Sequence, residues 1–276
     1  MTTLDAPATL AWRPITPPFG AEIRTEQLHL LDDAGADQLA RLVAERGVVV
    51  ARQQAMDIDE QIALGRRLGP LHVHPAYADA EHPEILVIHA DASSKHAAGE
   101  AWHSDVSCEP RPPAISMLRM EVVPESGGDT LFADMYRAYE SLSPAIQELL
   151  LGLTARHVSP TYFADGAGSR DLPVGIHPVV RTHPISGRRA LYVNSGFTKR
   201  IVELRSRESE ALLKMLYDHI AYEIVNQIRV HWEPDTVILW DNRCVQHHAA
   251  FDYFPAVRHG YRVTTIGEVP VLESRS

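Results

Sequence analysis

Residues 230–266 read Val-His-Trp-Glu-Pro-Asp-Thr-Val-Ile-Leu-Trp-Asp-Asn-Arg-Cys-Val-Gln-His-His-Ala-Ala-Phe-Asp-Tyr-Phe-Pro-Ala-Val-Arg-His-Gly-Tyr-Arg-Val-Thr-Thr-Ile. Three runs in this stretch, Val230–Trp232, Thr236–Trp240 and Tyr261–Ile266, are rich in β-branched and aromatic residues, which suit a pleated, half-buried surface. Short apolar runs of this kind between turn-forming residues predict strands. Working outward, Val48–Val50, Glu84–His89 and Ala114–Met120 also read as strands, the last followed by the turn signal Pro124–Asp129. Helical spacing marks Ala34–Arg46 through Leu39, Leu42 and Val43, with Gly47 ending it. Asp57 is placed to cap a helix over Ile58–Leu68, closed by Gly69. Ser143-Pro144 opens another helix, and Ser206–Ile220 is amphipathic through Leu212, Leu216 and Ile220. Tyr136, Tyr139 and Leu142 also fall at helical spacing and are expected in the core. The expectation is an α+β chain, mainly an antiparallel β core covered by helices. No repeat or Gly/Ser linker divides it, so one domain over 1–276 is expected.

Composition narrows the function classes. The 276 residues are 45% hydrophobic and 22% charged, which is ordinary globular usage and argues against disorder or a fibre. No apolar run reaches the ~18 residues of a membrane span. With 26 Lys plus Arg against 36 Asp plus Glu the net charge is −10, which disfavours nucleic acid and anionic lipid as partners. Met1–Pro14 lacks a basic flank followed by an apolar core, and only Cys108 and Cys244 are present. A reducing, cytoplasmic setting without a disulfide framework is expected. The 15 histidines are a reason to look for a metal.

Common catalytic motifs are weak or missing. Gly166-Ala-Gly168 lacks the third glycine of a dinucleotide fingerprint, and no Walker A, G-x-S-x-G or H-E-x-x-H sequence occurs. A His-x-Asp pair is different. Period two puts both side chains on one face of an extended strand. With one distant histidine such a pair forms the two-histidine, one-carboxylate face of non-haem Fe(II) oxygenases, which leaves positions open for a bidentate co-substrate and O₂. There are two such pairs, His89-Ala-Asp91 and His103-Ser-Asp105, and spacing alone does not choose between them. Near the C-terminus an apolar run leads into Gln246-His247-His248, followed by Arg258 and Arg262 four residues apart. On a strand these arginines point to one side. Two guanidiniums aimed at one interior call for anionic ligands, which arginine binds in a bidentate fork.

The chain resembles the taurine / dichlorophenoxyacetate dioxygenase family of Fe(II)- and 2-oxoglutarate-dependent oxygenases. The resemblance spans about residues 45–268. It is carried by Trp102–Val106, Gly127–Leu131, His177–Pro184, Tyr192–Phe197, Trp240–Arg243, Gln246-His247 and Arg258-x-x-x-Arg262. It implies a double-stranded β-helix, a jelly-roll or cupin-like barrel with flanking helices. It implies His103, Asp105 and His247 as Fe(II) ligands, with His248 a neighbour. Thr130 and Arg258 would hold the far carboxylate of 2-oxoglutarate. Arg262 would lie near its other carboxylate and near the anionic group of the prime substrate. Family members hydroxylate a C–H bond with O₂ while 2-oxoglutarate becomes succinate and CO₂. No residue beyond the metal ligands is expected to act in the chemistry.

On the substrate side, His72–Tyr77 resembles the segment that offers His74 and Tyr77 to a sulfonate, with an ordinary structural loop as the alternative. Phe197 reads either as a pocket wall or as core. Gly99 stands where taurine-type members carry a polar amide. The segment from His157 to His177 is a short lid with Gly166, Gly168 and Gly175, and Tyr162 and Phe163 are candidate lid contacts. The expected substrate is a small anionic molecule: a sulfonate, sulfate ester or carboxylate. A bulkier secondary metabolite and a silent, ligand-binding barrel are the alternatives. A halogenase is disfavoured because Asp105 is present. A homo-oligomer is expected, and neither cysteine is expected to be catalytic.

Overall fold

The computed structural model describes residues 10–24, 26–77, 81–95, 99–161, 163 and 171–273. In chain order the elements are β1 (Trp12–Pro14), β2 (Ala21–Ile23), α1 (Asp33–Arg46), β3 (Val48–Ala51), α2 (Ile58–Leu68), β4 (Leu86–Ala90) and β5 (Pro113–Val122). Next come β6 (Thr130–Asp134), α3 (Met135–Glu140), α4 (Pro144–Leu150), β7 (Thr154–Val158), β8 (Val174–Pro178), β9 (Val180–Thr182), β10 (Arg189–Leu191) and β11 (Thr198–Ile201). The last are α5 (Ser206–Tyr222), β12 (Gln227–Val230), β13 (Thr236–Asp241), β14 (Val245–Ala249) and β15 (Arg258–Ile266). Among the described residues the strands form a seven-stranded sheet, ordered β1-β2-β3-β13-β5-β15-β4, and smaller sheets β12-β6-β14, β11-β7-β8 and β10-β9. Strand pairing is antiparallel apart from β2 with β3. The hydrogen-bonded ladders do not join these sheets into one closed barrel.

Local chemistry explains the first helices. The Asp32 carboxylate accepts from the Gly35 N–H at 2.8 Å to open α1, and the Gly47 N–H closes it on the Val43 carbonyl. Asp57 and Glu60 form a reciprocal capping box on α2, with bonds of 2.8 and 2.9 Å. Each such cap stabilises by about 1 kcal/mol. Two expected boundaries shift. The strand expected at Glu84 starts at Leu86, because Ile85 N–H turns back to the His82 carbonyl. The strand expected over Val230–Trp232 ends at Val230, and Trp232 lies beyond it with its indole N–H bonded to Thr130.

The seven-stranded sheet has two faces because side chains alternate. Val49, Ala51, Ile115, Met117, Val237, Leu239 and Val263 pack outward against Leu39, Leu42 and Val43 of α1 and Ile62 and Leu64 of α2. Val48, Val50, Leu118, Met120, Ile238 and Trp240 pack the other way, in a core shared with Phe132 of β6, Val245 of β14, Tyr136 and Tyr139. Ser116, Arg258 and Arg262 share the even-numbered, inner phase. The β5–β15 contact that sets their depth is close at Gly260. A β-carbon there would overlap the Arg119 carbonyl oxygen and lie 2.7 Å from the Met120 sulfur. Gly260→Ala should therefore cost about 1–3 kcal/mol. Thermal unfolding should show a lower Tm, whereas Gly152→Ala, with open space around it, should not.

Candidate active site

His103 and His247 face each other through backbone bonds in both directions, His103 N–H to the His247 carbonyl at 3.1 Å and His247 N–H to the His103 carbonyl at 2.8 Å. Their rings come within 4.1 Å between centroids. Asp105 Oδ1 lies 3.8 Å from Nε2 of each histidine. The ligand atoms of the three residues all lie within 4.8 Å of one another, a set that can hold one divalent ion. The Ala101 carbonyl accepts from His103 Nδ1–H at 2.7 Å, which leaves the Nε2 lone pair facing the cluster. Burial keeps both imidazoles below their ordinary pKa, against the pull of Asp105. Burial would raise the Asp105 carboxyl. Arg262, His247, His103 and a Ser116 hydrogen bond outweigh it and hold the group below the usual carboxylate range. Neutral imidazoles beside a carboxylate, without thiolate, suit Fe(II) better than structural zinc.

The cavity beside this cluster has a volume of about 310 Å³ and is lined by Thr130, Trp232, Arg258, Arg262, His74, Tyr77, Phe163, Phe197 and Gly99, among others. Arg258 is 5% exposed. Its guanidinium lies 5.5 Å from the Trp232 ring centre, and its Nε has no acceptor. Among the described residues it forms no ion pair. Burial lowers its pKa, only partly offset by Tyr253. Thr130 Oγ1 accepts from Trp232 Nε1 at 2.9 Å, so its own proton is available to the cavity. Arg262 shares the inner face of β15 with Arg258, as alternation predicts, and donates to Asp105 Oδ1 at 2.6 Å.

At the other side, His74 Nδ1 accepts from the N–H groups of Ala76 and Tyr77 at 3.1 and 3.0 Å, which puts the ring proton on Nε2. Burial, Arg262 and His72 push the His74 pKa down to about 3, so the ring is neutral. Tyr77 stacks on it at 5.4 Å, and Phe163 packs edge-on against both His74 and Phe197. Phe197 is thus both buried and a cavity wall. Gly99 has φ +91°, and a β-carbon there would come within 3.0 Å of His103 Cε1. Tyr162, Gly166 and Gly168 of the expected lid lie outside the described residues. Gly175 lies on β8. Sequence reasoning missed Trp232, Trp240, Leu118, Val106, Leu86 and Ile88, which also line the cavity. Their apolar character marked them only as core.

The other His-x-Asp pair is satisfied elsewhere. His89 on β4 pairs with His259 on β15, Nδ1 to Nδ1 at 3.2 Å, and its Nε2 faces Asp91 at 3.4 Å on an exposed surface. His248 turns away from the cluster and packs on Trp102. A second cluster, His183, Asp241 and Cys244, is buried. There Arg243 forks Asp241 at 2.8 and 2.7 Å, His183 Nε2–H donates to Asp241 at 3.0 Å, and His183 Nδ1 accepts from Ile185 and Ser186. A cation would have to displace that arginine. Burial and Asp241 raise the Cys244 thiol well above its ordinary pKa, and burial raises Cys108 to about 11, so neither is a thiolate. Divalent-metal titration should show binding retained in His89→Ala, Asp91→Asn and Cys244→Ala and lost in His103→Ala. Retention by His103→Ala with loss in His89→Ala would reverse the choice of pair.

Residues 11–264 match the family described as taurine catabolism dioxygenase TauD, TfdA family. The chain is 39% identical to an alpha-ketoglutarate-dependent (that is, 2-oxoglutarate-dependent) sulfonate dioxygenase of Saccharomyces cerevisiae, over 93% of this chain and 67% of that protein. It is 34% identical to an alpha-ketoglutarate-dependent sulfate ester dioxygenase of Pseudomonas putida, over 94% of this chain and 90% of that one. The crystal structure of a taurine dioxygenase from Burkholderia xenovorans superposes with a TM-score of 0.83 at 32% identity, covering 96% of this chain and 93% of the other. With a His/Asp/His cluster lining its cavity, the chain belongs to the TauD, TfdA family and is a 2-oxoglutarate-dependent dioxygenase using Fe(II) and O₂.

Proposed function

We propose that His103, Asp105 and His247 hold the Fe(II), that Arg258 and Thr130 hold the far carboxylate of 2-oxoglutarate, and that an anionic prime substrate binds between Arg262, His74, Tyr77 and Phe197. The observation that carries this reading is the buried Arg258 guanidinium, which lines the cavity beside the cluster with no carboxylate of its own among the described residues. An unpaired buried charge is costly unless a ligand supplies the counter-charge. When bound, the iron with 2-oxoglutarate and O₂ supplies the oxidation, and a substrate C–H becomes C–OH as 2-oxoglutarate yields succinate and CO₂. The chain's own residues bind and orient. Arg258 offers a charge-assisted fork and Thr130 a further hydroxyl donor. His74 offers a neutral Nε2–H, which donates without adding charge. The Phe163 and Phe197 walls keep water from the reacting carbon.

The substrate class follows from the same walls. Asp105 is the one acidic residue lining the cavity among the described residues, and Arg262 and the histidines already engage it. No further carboxylate among the described lining residues would pair a substrate ammonium, and Gly99 supplies no side-chain amide. An acid with an uncharged, largely apolar body fits better than an aminosulfonate, so an alkyl sulfonate, alkyl sulfate or aryloxyalkanoate is preferred to taurine. The sulfate ester and sulfonate dioxygenases among the relatives support that class. The reading extends to a double-stranded β-helix whose walls are the seven-stranded sheet and β12-β6-β14, to one catalytic unit over 1–276, and to the cytoplasm. Two free, buried thiols fit a reducing compartment.

Succinate release stimulated by taurine, longer alkyl sulfonates, alkyl sulfates, aryloxyacids and matched neutral alcohols tests the substrate class. The acids should be turned over and the alcohols should not, with taurine not the best. Equal turnover of neutral compounds would refute an anion site. Arg258→Ala should raise the KM for 2-oxoglutarate by at least about tenfold, because loss of a buried charge partner costs on the order of 2–5 kcal/mol. An unchanged KM would remove Arg258 from that role.

A further inference from the structure

The carboxylate of Asp105 is divided between two environments. Oδ1 faces Nε2 of His103 and His247 at 3.8 Å each and accepts from Arg262. Oδ2 points away from the histidines and accepts a hydrogen bond from the Ser116 hydroxyl at 2.7 Å. Ser116 sits on β5, fully buried, and is held in turn by Asn242. Asn242 Oδ1 accepts from the Asp105 backbone N–H at 3.0 Å and from Trp240 Nε1 at 3.1 Å. Two N–H donors on one side settle which way the amide points, so its Nδ2 donates to Ser116 Oγ at 2.9 Å. With that lone pair used, and a carboxylate oxygen that can only accept, the Ser116 proton is directed to Asp105 Oδ2. Thr264 Oγ1 lies 3.2 Å from Ser116 Oγ and completes the shell.

We propose that Ser116, oriented by Asn242, is a positioning residue that ties up Oδ2 of Asp105 and so presents Oδ1 alone to the metal; this rests on the assignment of His103, Asp105 and His247 as the iron ligands. A carboxylate free to turn could take two positions on the ion. Two histidines and one carboxylate oxygen leave three positions for a bidentate 2-oxoglutarate and O₂, whereas a two-oxygen carboxylate leaves one fewer. The hydroxyl also prepays the ordering of the aspartate side chain. Partners of this kind, bonded to a ligand and not to the metal, set affinity through orientation. The chain Asn242 to Ser116 to Asp105 joins β5 to the turn after β13, so the sheet itself holds the carboxylate in register with the two histidines.

The test uses the full chain and Mn(II) alone, with free ion read by its electron paramagnetic resonance signal, so that affinity is measured without turnover. Ser116→Ala and Ser116→Cys both remove the hydroxyl donor, the second with little change in volume. Both should raise the Mn(II) Kd by about 10- to 100-fold, and Ser116→Thr, which keeps a hydroxyl, should stay within about threefold of the unsubstituted chain. Metal-free Tm is measured for each. If affinity follows side-chain size and not the hydroxyl, or if Ser116→Cys folds and binds Mn(II) as the unsubstituted chain does, Ser116 is a packing residue and the proposal falls. Asp105→Ala is run beside them. Wild-type Mn(II) binding by that variant would overturn the ligand assignment, and the proposal with it. Abolished binding there, together with an unchanged Kd for Ser116→Cys, overturns the positioning role alone.

Discussion

Asp105 holds a negative charge at a point from which water is almost excluded, and the surrounding architecture compensates for that one charge. A bare carboxylate moved into such a setting would take up a proton. Here it stays ionised because Arg262, two imidazoles and the Ser116 hydroxyl converge on it from three different strands and a loop. The same convergence prepares it for a divalent ion, since a ligand that is already deprotonated and oriented loses little freedom on binding. Removing Asp105 would leave the Arg262 guanidinium buried without the carboxylate it donates to.

That convergence is a property of the sheet. Alternation along β5, β13 and β15 sends apolar residues outward against α1 and α2 and leaves the inner phase of the same strands free to carry Ser116, Trp240, Arg258 and Arg262. An outer layer of fully buried Val, Leu, Ile and Met supplies the stabilisation, so the inner layer can hold polar groups that do not pack for maximum stability. Arg258 is the clearest case. Its buried, unpaired guanidinium is a liability for the empty fold and an asset for a dicarboxylate. Such conflict between stability and local rules is expected at functional sites.

A second buried ion network lies at the end of β13. Arg243 and His183 both donate to Asp241, in contrast to the arginine at the cavity, which has no carboxylate partner among the described residues. Their hydrogen bonds hold the turn Asp241–Cys244, and that turn carries Asn242, which reaches Ser116 and the Asp105 backbone. The satisfied network holds the turn, whereas the arginine at the cavity is the one to which the proposed function gives a ligand carboxylate. Both arginines are buried, and the difference between them is the presence or absence of a carboxylate partner among the described residues.

The sequence by itself determined the helices and the strands β3, β4, β5, β13 and β15 of the large sheet, because their signals are local, whereas the short strands β1, β2, β6 to β11 and β14 carried no such signal. The Asp57/Glu60 box, the Gly47 and Gly69 stops and the β-branched and aromatic run Thr236–Trp240 act within a few residues. Through family resemblance it also named His103, Asp105, His247, Thr130, Arg258 and Arg262, which the fold brings to one cavity. Spacing alone could not separate His89-Ala-Asp91 from His103-Ser-Asp105, since period two treats the pairs alike. The tertiary structure separates them physically, by bridging His103 to His247 beside the cavity and His89 to His259 on an exposed edge. It also decided that Trp232 closes over Arg258, that Arg258 has no counter-ion among the described residues and that Ser116 and Asn242 hold Asp105. These are contacts between residues far apart in the chain. Strand register sets them, and a local pattern of apolar and polar residues encodes the face a side chain takes but not the partner it meets.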